Sequence, residues 1–393
     1  MARTKRPLGK ALTFQRVRLE NWRNFTKVDV RLQQRVFLVG PNASGKSNFL
    51  DVFRFLHDIV SVGGGFVEAV GPRRGGVTKL RSLAARRYPD VVVEVEIGSE
   101  TEPGEWTYEL HFSQDNQRRP VISRERVARR GKDLLVRPIA EDEADPERLT
   151  QTYLEQINVN KEFRDITDFF RSVRYLHVVP QLVREPDRSI GKINDPYGGD
   201  FLEQIARTPE QTRNAWLRHI LNALRVAVPQ LKELQFYRDD VRGTPHLRGN
   251  YKNWRAHGSW QNEDQFSDGT LRLVGLLWAA LEGSGPLLLE EPELSLHPDV
   301  VSQIPQMFAL LQSRTGRQVL MSTHSPSILV DDAIGLDEVL VLTPEREGTS
   351  MRLASSYQQI IDLLAGGASM ADAVLPYTRP PEAEQLSLFA VEQ

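Results

Sequence analysis

The sequence of 393 residues contains no cysteine. This absence excludes disulfide bonds, thiol catalysis and cysteine-based zinc or iron–sulfur sites, and it favours a cytoplasmic location. No run of about 18 apolar residues is present, and residues 1–14 lack the apolar core of a secretory signal. We therefore expect no contact with a membrane.

An excess of positive charge is also lacking, because 50 Lys and Arg residues stand against 52 Asp and Glu residues, for a formal net charge of −2. The chain as a whole is not a polycation, so any contact with nucleic acid requires a local basic patch. There is no internal repeat and no sustained heptad pattern. The sequence therefore predicts no long coiled-coil arm.

Apolar periodicity predicts an α/β fold. Strands are indicated at 13–20, 27–32, 35–39, 91–97, 106–112, 174–179, 233–238, 287–289 and 318–322, and helices at 47–60, 151–172, 200–228 and 270–282. The segments at 91–97 and 106–112 suggest an antiparallel meander, whereas the short apolar runs suit a parallel sheet that is covered on both faces. Residues 241–265 are polar and are expected to be irregular.

The segment GPNASGKS, residues 40–47, has the pattern G-x-x-x-x-G-K-[ST] and lies between a predicted strand and a predicted helix. Glycines let backbone N–H groups turn toward phosphate oxygens, and the helix N-terminus adds a favourable dipole. We expect Lys46 to reach the β- and γ-phosphates of a nucleotide and Ser47 to ligate Mg²⁺. Asn42 and Asn48 are further candidate nucleotide contacts.

Two adjacent carboxylates, Glu290 and Glu291, follow the apolar run at 287–289. One carboxylate at such a strand end can hold the Mg²⁺ shell, and the next can polarise the attacking water. The alternative is a strand that runs into an acidic, capped turn.

Two further motifs carry weaker signals. Ser267 and Gly269 precede an apolar helix, where a hydroxyl and free N–H groups form an anion site, although Ser, Asp and Gly are also ordinary helix caps. His324 directly follows a buried strand. There it can hydrogen-bond a γ-phosphate or the attacking water, or it can be a structural histidine that neighbouring hydroxyls cap.

In their order and spacing, the P-loop, S-D-G-T at 267–270, L-E-E-P-E at 289–293 and S-T-H-S-P at 322–326 resemble the motifs of ABC ATPases of the SMC/RecF/OLD type. More closely, the chain is similar to the stand-alone AAA-type ATPases of bacteria in that group. The resemblance covers about the first 60 residues and about residues 255–335, and the opening QRVRLENWRNF adds to it. It implies an ABC-type P-loop ATPase head with a mixed sheet (a parallel core and an antiparallel meander) and a helical lid insertion.

The resemblance also implies a role for each matching residue, with ATP and Mg²⁺ as ligands. Gly40, Gly45, Lys46 and Ser47 match the Walker A contacts; Ser267, Asp268 and Gly269 the signature motif; Glu290 the Walker B position; Glu291 the catalytic glutamate; Ser295–His297 the D-loop; His324 the switch histidine; Gln181 a Q-loop residue near the metal; and Arg23 a residue that touches adenine. Lys46, Glu291 and His324 are then the candidate catalytic residues. Two positions depart from the pattern, since Glu290 replaces Asp, and Asp268 stands where transporters have Gly.

Heads of this type pair head-to-tail around two ATP molecules, so the resemblance implies an ATP-dependent homodimer. It divides the chain into 1–90, the N-terminal part of the head with Walker A; 91–255, the meander and helical lid; 256–371, the C-terminal part of the head; and 372–393, a flexible tail.

Two segments outside the motifs indicate partners. Basic residues are concentrated at 73–87 and 118–132, where they form either a DNA-facing surface or a solvated face balanced by the acids at 141–147. In the tail, QLSLF resembles the peptide that binds the bacterial β sliding clamp, through Gln385, Leu386, Leu388 and Phe389. The alternative is a segment whose Leu and Phe side chains pack on the chain's own domain.

We therefore expect an ATPase that couples dimerisation to DNA repair or replication maintenance. Two alternatives stay open. One is an anti-phage defence ATPase that controls a separately encoded nuclease, and the other is a scaffold that binds ATP and barely hydrolyses it.

Overall fold

The computed structural model describes residues 11–85, 90–185, 195, 197–252 and 259–379. The strands are β1 (Thr13–Trp22), β2 (Phe25–Arg31), β3 (Arg35–Val39), β4 (Val91–Gly98), β5 (Trp106–Gln114), β6 (Pro120–Arg129), β7 (Lys132–Arg137), β8 (Arg174–Leu176), β9 (Leu231–Arg238), β10 (Pro245–Tyr251), β11 (Ser259–Asn262), β12 (Leu287–Glu290), β13 (Val319–Thr323), β14 (Val339–Glu345) and β15 (Gly348–Leu353). The helices are α1 (Lys46–Val60), α2 (Phe66–Val70), α3 (Val77–Leu80), α4 (Ala140–Ala144), α5 (Arg164–Ser172), α6 (Pro180–Val183), α7 (Phe201–Arg207), α8 (Glu210–Ala227), α9 (Asp268–Leu281), α10 (Pro298–Val301), α11 (Ile304–Thr315), α12 (Gln358–Ala365) and α13 (Met370–Thr378).

The chain divides into two compact units. The first unit comprises the described residues up to Arg174, Ser284–Leu288, and the described residues from Ala309 onward. The second comprises the described residues of Tyr175–Gly283 together with Leu289–Phe308. Among the described residues, no helix is both long and apolar enough to cross a membrane.

An antiparallel meander forms one sheet of the first unit, with the order β2-β1-β4-β5-β6-β7. Buried residues alternate with less buried ones along most of β4 and β5, which matches the two-residue period of a strand. The predicted α/β fold and its meander are confirmed. The meander also extends further than the sequence predicted, because β6 and the start of β7 take up most of the basic segment at 118–132.

The sheet that contains the P-loop strand has the order β15-β14-β3-β13-β12-β8. Strand β3 pairs in parallel with β13 and with β14, and Val39 lies opposite Thr323. All residues of β3 and β13 are buried, as expected for parallel strands covered on both faces. Because parallel strands end at the same edge of a sheet, the segments that follow β3 and β13 leave side by side.

Aromatic packing holds α1 in the first unit. The ring centroid of Phe14, on β1, lies 4.6 Å from that of Phe53 on α1 and 4.8 Å from that of Phe169 on α5. All three side chains are buried, and burial of each contributes roughly 1.5–3 kcal/mol to stability. This contact fixes the helix whose N-terminus follows the P-loop.

The second unit contains a small antiparallel sheet with the order β11-β10-β9. The prediction that 241–265 is irregular was wrong, because β10 and β11 lie in this range. One face of β10 carries the polar residues His246, Arg248 and Asn250, and the other carries Gly249, so the alternation is hard to see in the sequence. Helix α9 buries Trp278, whose ring lies 5.1 Å from that of Trp216.

Two predicted boundaries were also wrong. The helix predicted over 151–172 begins only at Arg164, because side chains bind the backbone of the preceding segment: the Glu125 carboxylate, for example, accepts a hydrogen bond from the Tyr153 N–H at 3.0 Å. At the other end, the predicted tail from 372 is helical as far as Thr378, because it belongs to α13, whose N-terminus is capped by Ser369. The QLSLF segment lies outside the described residues.

Candidate functional site

The P-loop follows β3 and requires glycine at two positions. Gly45 has a φ of +99°, in the left-handed region, and a Cβ at this position would overlap the Asn24 side chain. A Cβ at Gly40 would lie 2.5 Å from the carbonyl oxygen of Leu342. The loop therefore keeps its shape only with both glycines in place.

The Asn24 side chain, in the turn between β1 and β2, supports the P-loop by hydrogen bonds. Its Nδ2 donates to the Ser44 carbonyl at 2.9 Å and to the Thr349 hydroxyl at 2.7 Å, while its Oδ1 accepts from Asn48 Nδ2 at 2.7 Å. Sequence reasoning missed Asn24. The available signal was its place in QRVRLENWRNF, which lies within the segment that resembles the family.

Lys46 and His324 meet at the edge of the parallel sheet. Lys46 is only 5% exposed, and its ammonium donates to the carbonyls of Gly40 at 2.9 Å and Pro41 at 3.0 Å. Its Nζ also lies 3.4 Å from Nδ1 of His324, which is itself exposed directly after β13. The parallel register of β3 and β13 therefore places the predicted switch histidine beside the P-loop lysine.

The groups around this loop fit a phosphate. Ser47 and Asn42 are exposed, and Ser47 lies in the first turn of the 15-residue helix α1, whose N-terminus favours anions. The Ser44 hydroxyl is fully buried and finds no hydrogen-bond partner within the described part of the chain. A left-handed glycine, an ammonium close to the loop and a helix N-terminus are the features that bind phosphate oxygens.

Arg23 lies next to this loop but is held by a carboxylate of α1. Its Nη2 lies 2.9 Å from Asp51 Oδ2, and Arg74 contacts the same aspartate at 2.7 Å. Burial alone would raise the pKa of Asp51, but the charges and hydrogen bonds of Arg74 and Arg23 hold it below the usual value. Arg23 is therefore fixed near the start of α1, and its contact with adenine stays a prediction.

In the second unit, the carboxylate pair lies at the end of β12. The Tyr175 hydroxyl donates to Oε2 of Glu290, and Nδ1 of His177 lies 3.3 Å from the Glu290 carbonyl. Glu291 has a φ of +44°, a strained conformation that costs roughly 1–3 kcal/mol and is common at functional sites. Sequence reasoning missed Tyr175 because its contact with Glu290 joins residues that are 115 positions apart.

Arg272 lies near the same carboxylates. Together with Glu290, Glu291 and apolar side chains, it lines a cleft in the second unit. Burial lowers the pKa of the Arg272 guanidinium, and the carboxylates of Asp268, Glu291 and Glu293 oppose this shift.

The signature segment also lies in the second unit. The Ser267 hydroxyl caps α9, since it accepts a hydrogen bond from the Thr270 N–H at 3.2 Å. A Cβ at Gly269 would lie 2.5 Å from the carbonyl oxygen of Ser295, which has a φ of +62°. The signature and predicted D-loop segments are thus in close contact, although the cap alone also fits a purely structural serine.

Arg184 and Gln181 lie near this segment in the chain's second unit. Arg184 binds the Asp268 carboxylate and the Phe266 carbonyl, each at 2.6 Å. Gln181 is exposed on α6, after a strand that ends at Leu176 rather than at the predicted Val179. Its assignment to a Q-loop stays a prediction.

Most of the predicted basic patch is neutralised by carboxylates. The residues concerned are Arg73, Arg74, Lys79, Arg81, Arg118, Arg119, Arg124, Arg126, Arg129, Arg130 and Lys132, while Arg86 and Arg87 lie outside the described residues. Seven of them form ion pairs: Arg73 with Asp58, Arg74 with Asp51 and Asp58, Arg119 with Asp115 and Glu147, Arg124 with Glu109, Arg126 with Asp133, Arg129 with Glu105, and Arg130 with Glu102. This pairing favours the solvated face over a DNA-facing surface.

Residues 35–331 match the family model described as "AAA domain, putative AbiEii toxin, Type IV TA system". The chain belongs to this AAA domain family. The matched range contains the P-loop, the signature segment, the carboxylate pair and His324. No curated protein matches the chain.

Solved structures similar to this AAA domain protein include SMC heads. An SmcHead bound to the C-winged helix domain of ScpA is 12% identical, with 86% of this chain and 96% of that chain covered and a TM-score of 0.53. An SMC head domain from Thermotoga maritima is 13% identical (86% and 98% covered, TM-score 0.45), and a Pyrococcus furiosus Smc head bound to the C-terminal domain of ScpA is 11% identical (90% and 100% covered, TM-score 0.48). The first match shows that the chain has the fold of an SMC head, so the predicted resemblance is confirmed at the level of the fold.

Replacing Asn24 with Ala should weaken ATP binding about tenfold. The change removes the amide that supports Ser44 and Asn48, and loss of partly buried hydrogen bonds of this kind costs about 1–3 kcal/mol. Titration of a fluorescent ATP analogue measures the effect. The control is Gln33→Ala, because the Gln33 amide contacts an exposed Asp337 instead. Equal affinity of the Asn24→Ala protein and the wild type would contradict the supporting role.

Proposed function

We propose that the protein binds ATP with Mg²⁺ and hydrolyses it to ADP and phosphate. The observation that carries this proposal is the P-loop, where two required glycines surround an almost buried Lys46 whose ammonium lies beside His324. Gly40, Gly45 and Lys46 hold the phosphates, with Asn42 and Asn48 as further contacts. Membership in the AAA domain family supports nucleotide binding.

The other motif residues supply the metal shell and the base in this proposal. Ser47, Glu290 and Gln181 hold Mg²⁺, which when bound neutralises charge on the β- and γ-phosphate oxygens. Glu291 orients and polarises the attacking water, and His324 donates a hydrogen bond toward the γ-phosphate. The strained backbone at Glu291 supports its role, since such strain is retained where function requires it.

We further propose that ATP joins two copies of the chain head-to-tail. Ser267, Asp268 and Gly269 of one copy contact the γ-phosphate held by the other, and hydrolysis separates the copies. The support is the resemblance of the signature segment and its position at the N-terminus of the 14-residue helix α9, where an anion is favoured.

For the biological role, we propose DNA repair or replication maintenance, with the β sliding clamp as a partner. The QLSLF segment supports the clamp, through Gln385, Leu386, Leu388 and Phe389. Contact of duplex DNA with the predicted basic patch has weaker support, because most of its arginines are paired.

A second candidate is a defence ATPase that controls a separately encoded nuclease. The description of the matching family, which names a toxin and a toxin–antitoxin system, favours this role. The test is co-expression of this protein with a nuclease encoded by a neighbouring gene. Toxicity that is lost in the Lys46→Ala variant of this protein would support the role, and absence of toxicity would remove that support.

The ATPase proposal predicts that two variants both lose turnover but differ in ATP binding. Lys46→Ala should abolish ATP binding and turnover, because it removes the phosphate-binding ammonium. Glu291→Gln should keep ATP binding and reduce turnover by about 100-fold or more, the usual contribution of a general base, so that an ATP-bound dimer accumulates. Phosphate release and light scattering measure turnover and mass, with and without duplex DNA.

Three outcomes separate the alternatives. Turnover that rises with DNA supports the repair role, and turnover that ignores DNA removes duplex DNA as a partner. Negligible wild-type turnover with a tight ATP-dependent dimer assigns the scaffold. Unchanged turnover in Lys46→Ala contradicts an ATPase site at the P-loop.

The clamp proposal predicts that immobilised wild-type protein retains the β sliding clamp. The double variant Leu388→Ala/Phe389→Ala should lose this binding, because it removes the apolar anchors of the peptide. Val391→Ala, outside QLSLF, is the matched control. Equal retention by all three proteins, or retention by none, would rule out clamp binding through this segment.

A further inference from the structure

One face of the β11-β10-β9 sheet carries a column of four stacked side chains: His246, Tyr237, Arg248 and Trp260. The rings of His246 and Tyr237 lie 5.2 Å apart at an angle of 23°. Arg248 follows, with its guanidinium carbon 5.0 Å from the Tyr237 ring centroid and 4.7 Å from the Trp260 ring centroid. Both Arg248 distances are within the range of a cation–π contact.

The strand register places these side chains on the same face. His246 lies opposite Tyr237, and Trp260 lies opposite Asn250, which is four residues along β10 from His246. Cross-strand partners and alternate residues of a strand share a face. The column therefore runs across all three strands.

Hydrogen bonds hold the column in place before any ligand arrives. Nδ1 of His246 lies 2.7 Å from the Glu263 carboxylate, and the Tyr237 hydroxyl donates to Asn262 at 3.2 Å. Arg248 donates to Oε1 of Gln235, also at 3.2 Å. Because these groups are already ordered, a ligand that stacks on the column loses little affinity to ordering them.

The stability of the unit does not account for the exposed end of this column. The opposite face of the sheet is the core face, where Leu234 and Leu247 are buried and Gly249 lies against Phe266. Trp260, in contrast, is 42% exposed although it ends a stack of ordered groups. The exposed part of the Trp260 indole, which Arg248 holds in place, is therefore available to stack with a flat ring.

The chemistry of the column selects the ligand. Arg248 forms no ion pair with a carboxylate among the described residues, and its contacts are with Gln235 and two rings. A cation beneath Trp260 disfavours a second cation above it, so a lysine or arginine of a protein partner fits poorly. A nucleobase offers a flat π face, and the adjacent phosphate is attracted to the Arg248 charge.

We propose that this face binds single-stranded nucleic acid, with an unpaired base stacked on Trp260 and its backbone near Arg248. A duplex does not fit in the same way, because its bases are already stacked on each other. The surface uses none of the motif residues, and its binding does not depend on ATP hydrolysis.

The test is fluorescence anisotropy with a labelled 20-nucleotide oligothymidylate, in buffer without nucleotide or Mg²⁺. Trp260→Ala should weaken binding roughly tenfold, within the range found for loss of one base–aromatic stack, whereas Trp260→Phe should weaken it by no more than about threefold. An abasic strand of the same length should bind the wild type about tenfold more weakly than oligothymidylate, and Trp260→Ala should remove this difference. Tyr377→Ala, which changes an aromatic residue of the first unit, is the control.

Equal binding of the abasic and thymidylate strands would overturn the proposal, as would binding that Trp260→Ala leaves unchanged or no binding at all. If oligothymidylate fails to bind and Trp260→Ala instead alters self-association in light scattering, the face belongs to a protein interface. Circular dichroism of each variant verifies the fold, and Trp260→Phe keeps the test valid if Trp260→Ala does not fold.

Discussion

The hydrogen bonds of the Asn24 amide connect the parts of the first unit that have to meet at the P-loop. One amide group contacts the Ser44 carbonyl, the Thr349 hydroxyl and the Asn48 amide, and so joins the β1–β2 turn, the loop, β15 and the start of α1. The contact leaves no room for a side chain at Gly45. The glycine of the motif is therefore required by the protein's own packing.

The parallel pairing of β3 with β13 supplies the second constraint. Val39 and Thr323 are partners in the register, so the segments after the two strands leave the sheet side by side. Lys46 Nζ therefore lies 3.4 Å from His324 Nδ1. In the second unit, close contacts at two glycines position the signature segment. Gly269 lies against the carbonyl oxygen of Ser295, and Gly249, on the core face of the small sheet, lies against the ring of Phe266, the residue before Ser267. The signature segment thus adjoins the sheet that carries the aromatic column.

The sequence allowed correct prediction of features that depend on neighbouring residues. Strand β3, the P-loop and α1 were predicted almost to the residue, because apolar runs, glycine positions and helical spacing are local signals. The positions of the carboxylate pair and of His324 at strand ends were predicted because each directly follows an apolar run. Asn24 and Tyr175 were not found, since their significance depends on contacts with residues far away in the chain. For the basic segments the sequence left a DNA-facing surface and a solvated face open. Their ion pairs favour the solvated face, although most of the partners are carboxylates other than the acids at 141–147.

The central claim is that the P-loop, which Asn24 supports, is a site for the phosphates of ATP. Calorimetric titration of the purified wild-type protein tests this claim most directly. ATP, ADP and adenosine are compared in the presence of Mg²⁺. We expect ATP and ADP to bind at one site per chain and adenosine to bind at least about tenfold more weakly, because the loop, the ammonium and the helix N-terminus act on phosphate oxygens. Equal affinity for all three compounds, or no binding of ATP, would contradict the claim.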